Sequence, residues 1–310
     1  MSLSNKTIGV SSIPVSATKV SNLLALTFLL VCMLPLAFAW DSMSLLFKLI
    51  LENDAFSQIP LIPIVSLFLI YEHRKATFAQ VSFGWILGAG TITSGMILLA
   101  VARMNLLQLS STNPVTLLIL AIVLVWLGAF ALFFGARAFW ASLFPLLFLL
   151  FMVPIPEPIH SKLIYLLQAG SSHMVEAFFR IAGVPYHREG FVFILPGISI
   201  RVAEECSGIH STLALLITTV LASYIFLKKS WKRVVLCIAV VPIAIFKNGL
   251  RIATLSVLAI YVNPAFLYGN LHHRGGIVFF IIALLPMALL LNLLRRGDNK
   301  IPLATEVSGT

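Results

Sequence analysis

The feature that most constrains this chain is a succession of apolar runs, each about as long as a bilayer crossing, from near residue 20 to near residue 295. A hydrocarbon core takes about 20 apolar residues per helix. No polar stretch between the runs is long enough to fold as an independent soluble domain. Hydrophobic residues make up 60% of the 310 and charged residues only 10%, whereas a soluble domain carries about 25% charged residues. A soluble globular domain is thereby excluded, and so is disorder, which needs low hydrophobicity. The expected fold is an all-α polytopic membrane protein.

Eight candidate spans follow from the runs: 21–40, 58–72, 81–102, 114–135, 138–154, 206–227, 233–262 and 276–294. Lys and Arg in short loops set orientation. With the N-terminus in the cytoplasm, the clusters Lys6 and Lys19, Arg74 and Lys75, Arg137, Lys228 to Arg233, and Arg295 to Lys300 all fall inside. The net charge of +10 is therefore read as loop bias, with the lipid bilayer as partner and no nucleic acid. The expectation is a multi-pass protein of the cell's inner (plasma) membrane with both termini cytoplasmic. Residues 1–20 and 296–310 are read as cytoplasmic tails, the first disordered, around a single transmembrane domain over 21–295. Ala37-Phe38-Ala39 resembles a signal-peptide cleavage site; cleavage there would leave the later spans unchanged.

Segment 155–183 is long enough to span, yet it carries Glu157, His160, Lys162, Gln168, His173, Glu176 and Arg180. Spanning would also force the Arg74-Lys75 loop outside. It is read as a helix in the outer interface, entered through Pro154-Ile155-Pro156-Glu157-Pro158. In 184–203, Phe191 to Leu195 and Ile198 to Val202 flank Pro196-Gly197, an outer β-hairpin signal.

Three polar clusters interrupt the apolar sequence, and the topology puts all three at the outer face. The first, Glu204-Glu205-Cys206-Ser207-Gly208-Ile209-His210-Ser211, opens an inward-running span. Free N–H groups and the helix dipole at such a start favour an anion, so Cys206 is placed where a thiolate forms. Cys32 and Cys237 lie inside apolar runs, and three dispersed cysteines make neither a disulfide framework nor a CxxC zinc site. The second cluster is Lys247-Asn248-Gly249-Leu250-Arg251, in a span that also holds Pro242, where a kink is expected. Arginine inside a span is costly and by default functional or paired. The third is Asn270-Leu271-His272-His273-Arg274-Gly275-Gly276, whose histidines can exchange protons near neutral pH. Thiolate, guanidinium and imidazole on one face suit cysteine nucleophilic catalysis, with Glu205, Ser207, Asn248 and either histidine in support.

Two other readings stay open. Cys206 and His210 at i, i+4, with the histidine pair, would suit a metal-dependent membrane protease. Lys247 and Arg251 on a kinked helix would suit a transporter.

These stretches also carry a resemblance. Val202 to Ile209, Asn248-Gly249-Leu250-Arg251-Ile252, and His272 followed by Gly276 and Phe279-Phe280 resemble the exosortase/archaeosortase family of membrane-embedded cysteine transpeptidases. Asp54 to Pro63 and Gly183-Val184-Pro185 are similar to the family's earlier segments, although Gln58-Ile59 stands where the family tends to show His-Gly. The resemblance covers roughly residues 50–290. It implies Cys206 as nucleophile, Arg251 as the essential arginine and His272, with His273 as rival, as the histidine. It also implies cleavage of C-terminal sorting signals on secreted proteins: a short motif such as Pro-Glu-Pro, a membrane helix and a basic tail, with transfer to an acceptor. No cofactor is implied. Arg188, Arg201 and Arg274 are candidate contacts for a glutamate in such a signal.

Overall fold

A computed structural model of the chain describes residues 22–38, 59–79, 81–104, 113–203, 207–267 and 276–296. Both tails, the Asp54 to Gln58 stretch, Ala39, the Glu204-Glu205-Cys206 tripeptide and the whole of Asn270 to Gly275 lie outside the described residues. The chain packs as two compact units, Met1–Glu157 and Pro158–Thr310.

The first unit holds helices α1 (Asn22–Phe38), α2 (Leu61–Glu72), α3 (Arg74–Thr77), α4 (Trp85–Arg103), α5 (Asn113–Ala141) and α6 (Leu143–Phe148). α6 runs into a 3-10 turn at Leu149–Met152. α4 and α5 meet through glycines. A Cβ on Gly88 would sit 2.6 Å from Leu132 Cα, and one on Gly128 would sit 2.7 Å from the Ile92 nitrogen. Lipid tails give apolar helices no hydrophobic reason to associate, so close backbone approach supplies the packing. α1 lays Phe28 edge-on against Phe134, with ring centroids 5.2 Å apart, and Trp126 Nε1 donates to the Cys32 carbonyl at 2.9 Å. Polar groups between helices are paired: Ser66 donates to the Pro145 carbonyl at 2.7 Å, and the Thr77 and Ser142 hydroxyls lie 3.0 Å apart.

Among the described residues five helices are long and apolar enough to cross a membrane, or six if the pair on either side of Pro154-Ile155-Pro156 is one broken span. The reading of eight from sequence is therefore met only in its coarse form. The apolar helices over Leu26–Ala37 and Leu61–Glu72 are short. The runs expected at 114–135 and 138–154 are divided differently, because α5 bends at Gly135 (φ 88, ψ 167) and continues to Ala141. What remains, six α-helical and four 3-10 residues, reaches about 17 Å at 1.5 and 2.0 Å per residue, little more than half a hydrocarbon core.

The second unit holds α7 (Glu157–Ile181), strands β1 (His187–Glu189), β2 (Val192–Leu195) and β3 (Ile198–Arg201), then α8 (Ile209–Phe226), α9 (Ser230–Ile238), α10 (Val240–Tyr261) and α11 (Gly276–Arg296). A 3-10 turn, Pro264–Leu267, follows α10. The expected hairpin is present, with Leu195 opposite Ile198 across a turn in which Gly197 takes φ 79. Its partner β1 was not expected: Arg188 pairs with Phe193, making an antiparallel meander of three strands. Phe193, Val202, Val184 and Leu195 bury against Val175 and Phe179 of α7 and against Ile252 and Ala253 of α10. The run expected as one kinked span at 233–262 is one span, Ser230–Tyr261, built of α9 and α10 with a break at Ala239. Pro242 explains the break, since it lacks an N–H and its ring crowds the Ile238 carbonyl one turn back.

Candidate active site

The site lies in the second unit, and its walls are α7, the start of α8 and the middle of α10. α7 can be a wall because it has two faces. Glu157 and Arg180 sit at its ends, while Gln168, Ser171, Ser172, Val175 and Phe179 are buried. Of these, Gln168, Ser171, Ser172, Val175 and Phe179 recur at helical spacing, so one stripe is buried and part of that stripe is polar.

Each buried polar group on this stripe has a task. Gln168 Nε2 donates to the Val202 carbonyl, pinning the chain just after β3, and Ser172 Oγ donates back to the Gln168 carbonyl at 2.8 Å. Ser171 Oγ accepts from Asn248 Nδ2 at 3.0 Å, linking α7 to α10. That bond is possible because the two helices nearly touch. A side chain on Gly249 would overlap Met174, and a Cβ on Gly170 would sit 2.6 Å from Ile245 Cδ1.

The turn that carries the cysteine cluster is then held against α10. Ser207 is buried, and among the described residues its Oγ has no hydrogen-bond partner. Gly208 caps α8 in the left-handed conformation, φ 75 and ψ 19. A Cβ there would come within 3.0 Å of Asn248 Oδ1 and 3.5 Å of Lys247 Nζ. The position thus demands glycine twice, for its φ and for its contact. The first and second sequence clusters are brought together at this point, Ser207-Gly208 against Lys247-Asn248. Lys247, 4% exposed, donates to Ser211 Oγ at 2.5 Å. Arg251 is half-buried and stands one turn further along α10 from Lys247. His210 is exposed in the first turn of α8.

The remaining candidates divide. Glu205, Cys206, His272, His273 and Arg274 lie outside the described residues. Arg201 ends β3 and is exposed. Arg188 has a resident partner: its Nη1 contacts Glu176 Oε2 at 2.7 Å and His173 Nδ1 at 3.2 Å, and its Nε donates to the Gly190 carbonyl at 2.9 Å. Arg180 Nη2 and the Tyr186 hydroxyl complete the cluster on Glu176 Oε1, at 2.5 and 3.1 Å. The hydrogen bond from Arg188 comes first among the causes that hold the Glu176 carboxyl below the usual glutamate range. This network ties β1 to α7, and nothing in the local sequence announces it.

Among the described residues no three His, Cys, Asp or Glu side chains gather as metal ligands would. Chemically, the described walls offer an amine, a guanidinium, a buried hydroxyl and the start of an 18-residue helix at one turn of chain. All favour an anion.

Comparison with known proteins gives one family: a model of transmembrane exosortases matches residues 40–289. Neither the curated proteins nor the solved structures returned a match.

Proposed function

From the premise that this chain belongs to the transmembrane exosortase family, multi-pass membrane proteins of sorting-signal processing, we propose that it is a cysteine protease or transpeptidase acting at the outer boundary of the plasma membrane. Its substrates are secreted proteins ending in a short motif, a membrane helix and a basic tail. Residues 21–295 act as one catalytic domain with cytoplasmic termini, α7 lies in the outer interface, and the shorter apolar helices bring the number of spans to about eight.

The observation that supports the site most strongly is the seating of Gly208 on Asn248 and Lys247. It sets the residue two positions after Cys206 against the helix that carries Arg251, so the cysteine and arginine motifs share one wall. Cys206 attacks the carbonyl of the scissile peptide bond and the C–N bond breaks to leave a thioester. His272 protonates the departing amine. Arg251 stabilises the thiolate or the developing oxyanion, as a fixed cation does where water is scarce. An amine acceptor or water then releases the acyl group. A peptide boundary just outside the substrate's own membrane helix would meet this site without leaving the bilayer.

The test is to trap the intermediate. A peptide mimic of a sorting signal with a thiol-reactive group at the scissile position should label Cys206 alone, and Cys206→Ala should abolish labelling. Labelling confined to Cys32 or Cys237 would contradict the assignment.

A further inference from the structure

Lys247 and Ser211 are not absorbed by the three-residue mechanism, yet they form a close polar pair that joins α10 to the first turn of α8. Lys247 Nζ, on α10, lies 2.5 Å from Ser211 Oγ, on the first turn of α8. Lys247 is 4% exposed, and among the described residues no carboxylate is ion-paired with it. Its neighbours at this turn are Arg251, one turn along its own helix, and Gly208 and Ser211 of the α8 start.

The hydroxyl proton of Ser211 is the one that can be spared. Ser211 Oγ donates to the Gly208 carbonyl at 2.9 Å, but that oxygen also receives the Thr212 hydroxyl at 2.8 Å and the Thr212 N–H at 2.9 Å. A carbonyl oxygen has two lone pairs, so two donors satisfy it and the third is surplus. Ser211 can turn its proton to Lys247 and leave Gly208 fully bonded. Ser211 is also only half-buried, so a molecule entering the site can reach it.

We propose that Ser211 and Lys247 form a proton-exchanging pair that serves the release half of the reaction, taking the proton of the acceptor that attacks the Cys206 thioester. The assignment rests on Cys206 as the nucleophile. As the acceptor nitrogen or oxygen bonds to the acyl carbon, its proton passes to Ser211 Oγ and the proton of Ser211 passes to the free amine of Lys247. The C–S bond breaks and its electron pair leaves with sulfur as thiolate. Lys247 ends as ammonium and His272 ends neutral from the first half, so a proton moves from one to the other through solvent before the next turnover. Lysine is suited to this exchange and arginine is not, because a guanidinium keeps its proton.

p-Nitrophenyl acetate separates the two halves, since its phenolate leaves without an acid. The full chain with Cys32 and Cys237 replaced by Ala should give a burst of nitrophenolate that reports thioester formation, followed by a steady rate that reports release. Lys247→Met, Lys247→Arg and Ser211→Ala should keep the burst rate within about threefold while the steady rate falls by about 10²-fold or more, the size of a lost acid–base group. Ser211→Thr should retain the steady rate. A Lys247→Arg variant that releases like the parent would overturn the proposal, because a merely structural hydrogen bond tolerates arginine. Burst and steady rates falling together would overturn it too. A parent that shows no hydroxylamine-sensitive acetyl group on Cys206 would instead remove the nucleophile assignment, and this pair's role with it.

Discussion

Asn248 of α10 reaches across to α7 and donates its side-chain amide to Ser171 Oγ at 3.0 Å, with both residues essentially sealed from solvent. The bond sits one residue from the contact of Gly249 with Met174 and on the residue that Gly208 touches. It is the joint through which α7 fixes the two motif-bearing elements to each other. Buried amides left unpaired cost about 1–3 kcal/mol. Ser171→Ala and Asn248→Ala should each lower unfolding free energy in detergent by about that amount. The double variant should cost less than the sum, the shortfall being the coupling. Additive losses would mean that the two do not depend on each other.

Gly208→Ala is expected to be worse than its size suggests. The left-handed backbone at this cap costs a non-glycine residue about 1–3 kcal/mol, and the new methyl would press on Asn248. Gly197 has the same backbone sign at φ 79 but open space around it. Gly197→Ala should therefore cost only that backbone penalty, about 1–3 kcal/mol, and leave processing intact, while Gly208→Ala loses processing. Equal processing by the two variants would show that the contact with Asn248 is unimportant.

The Glu176 cluster sets a pH dependence. Its carboxyl is held low in the folded chain, first by the Arg188 hydrogen bond. The contribution is thus fully present above the ordinary glutamate value of about 4.3 and is lost as pH falls through the lower folded value. Melting temperatures of the parent and Glu176→Gln, compared from pH 7 down to pH 3, should differ by a constant amount down to about pH 5 and converge below that. A difference that grows toward acid pH would reverse the sign and refute the account.

Arg251→Lys tests whether a point charge suffices. Lysine keeps the positive charge but not the planar fork of donors. If Arg251 stabilises the oxyanion, the turnover of a sorting-signal peptide should fall by about 10²–10³-fold with KM little changed. Turnover within about threefold of the parent would assign Arg251 a general electrostatic role only.

Part of this arrangement was legible from residues alone, and part required the fold. Pro196-Gly197 between two alternating runs marks a hairpin by turn chemistry, and it is one. Pro154 and Pro156 end a helix, and Pro242 breaks one at Ala239, because proline's missing N–H acts over one turn and needs no distant partner. β1 was missed because His187-Arg188-Glu189 has no apolar alternation. Its side chains are accounted for by partners on α7 that sequence reading cannot pair. The polar stripe Gln168, Ser171, Ser172 shows the same limit. Its period was visible, but whether it faced headgroups or a buried neighbour depended on glycines 170 and 249 letting α10 come close.

The central claim is that Cys206 performs the chemistry, and processing in a membrane tests it most directly. A secreted protein bearing a C-terminal motif, an apolar span and a basic tail can be co-expressed with the parent chain or with Cys206→Ala, and the shortened product followed by mass spectrometry. The account expects complete loss of the cleaved product with Cys206→Ala, at equal membrane abundance of the two chains. Continued cleavage at the same bond by Cys206→Ala would contradict it.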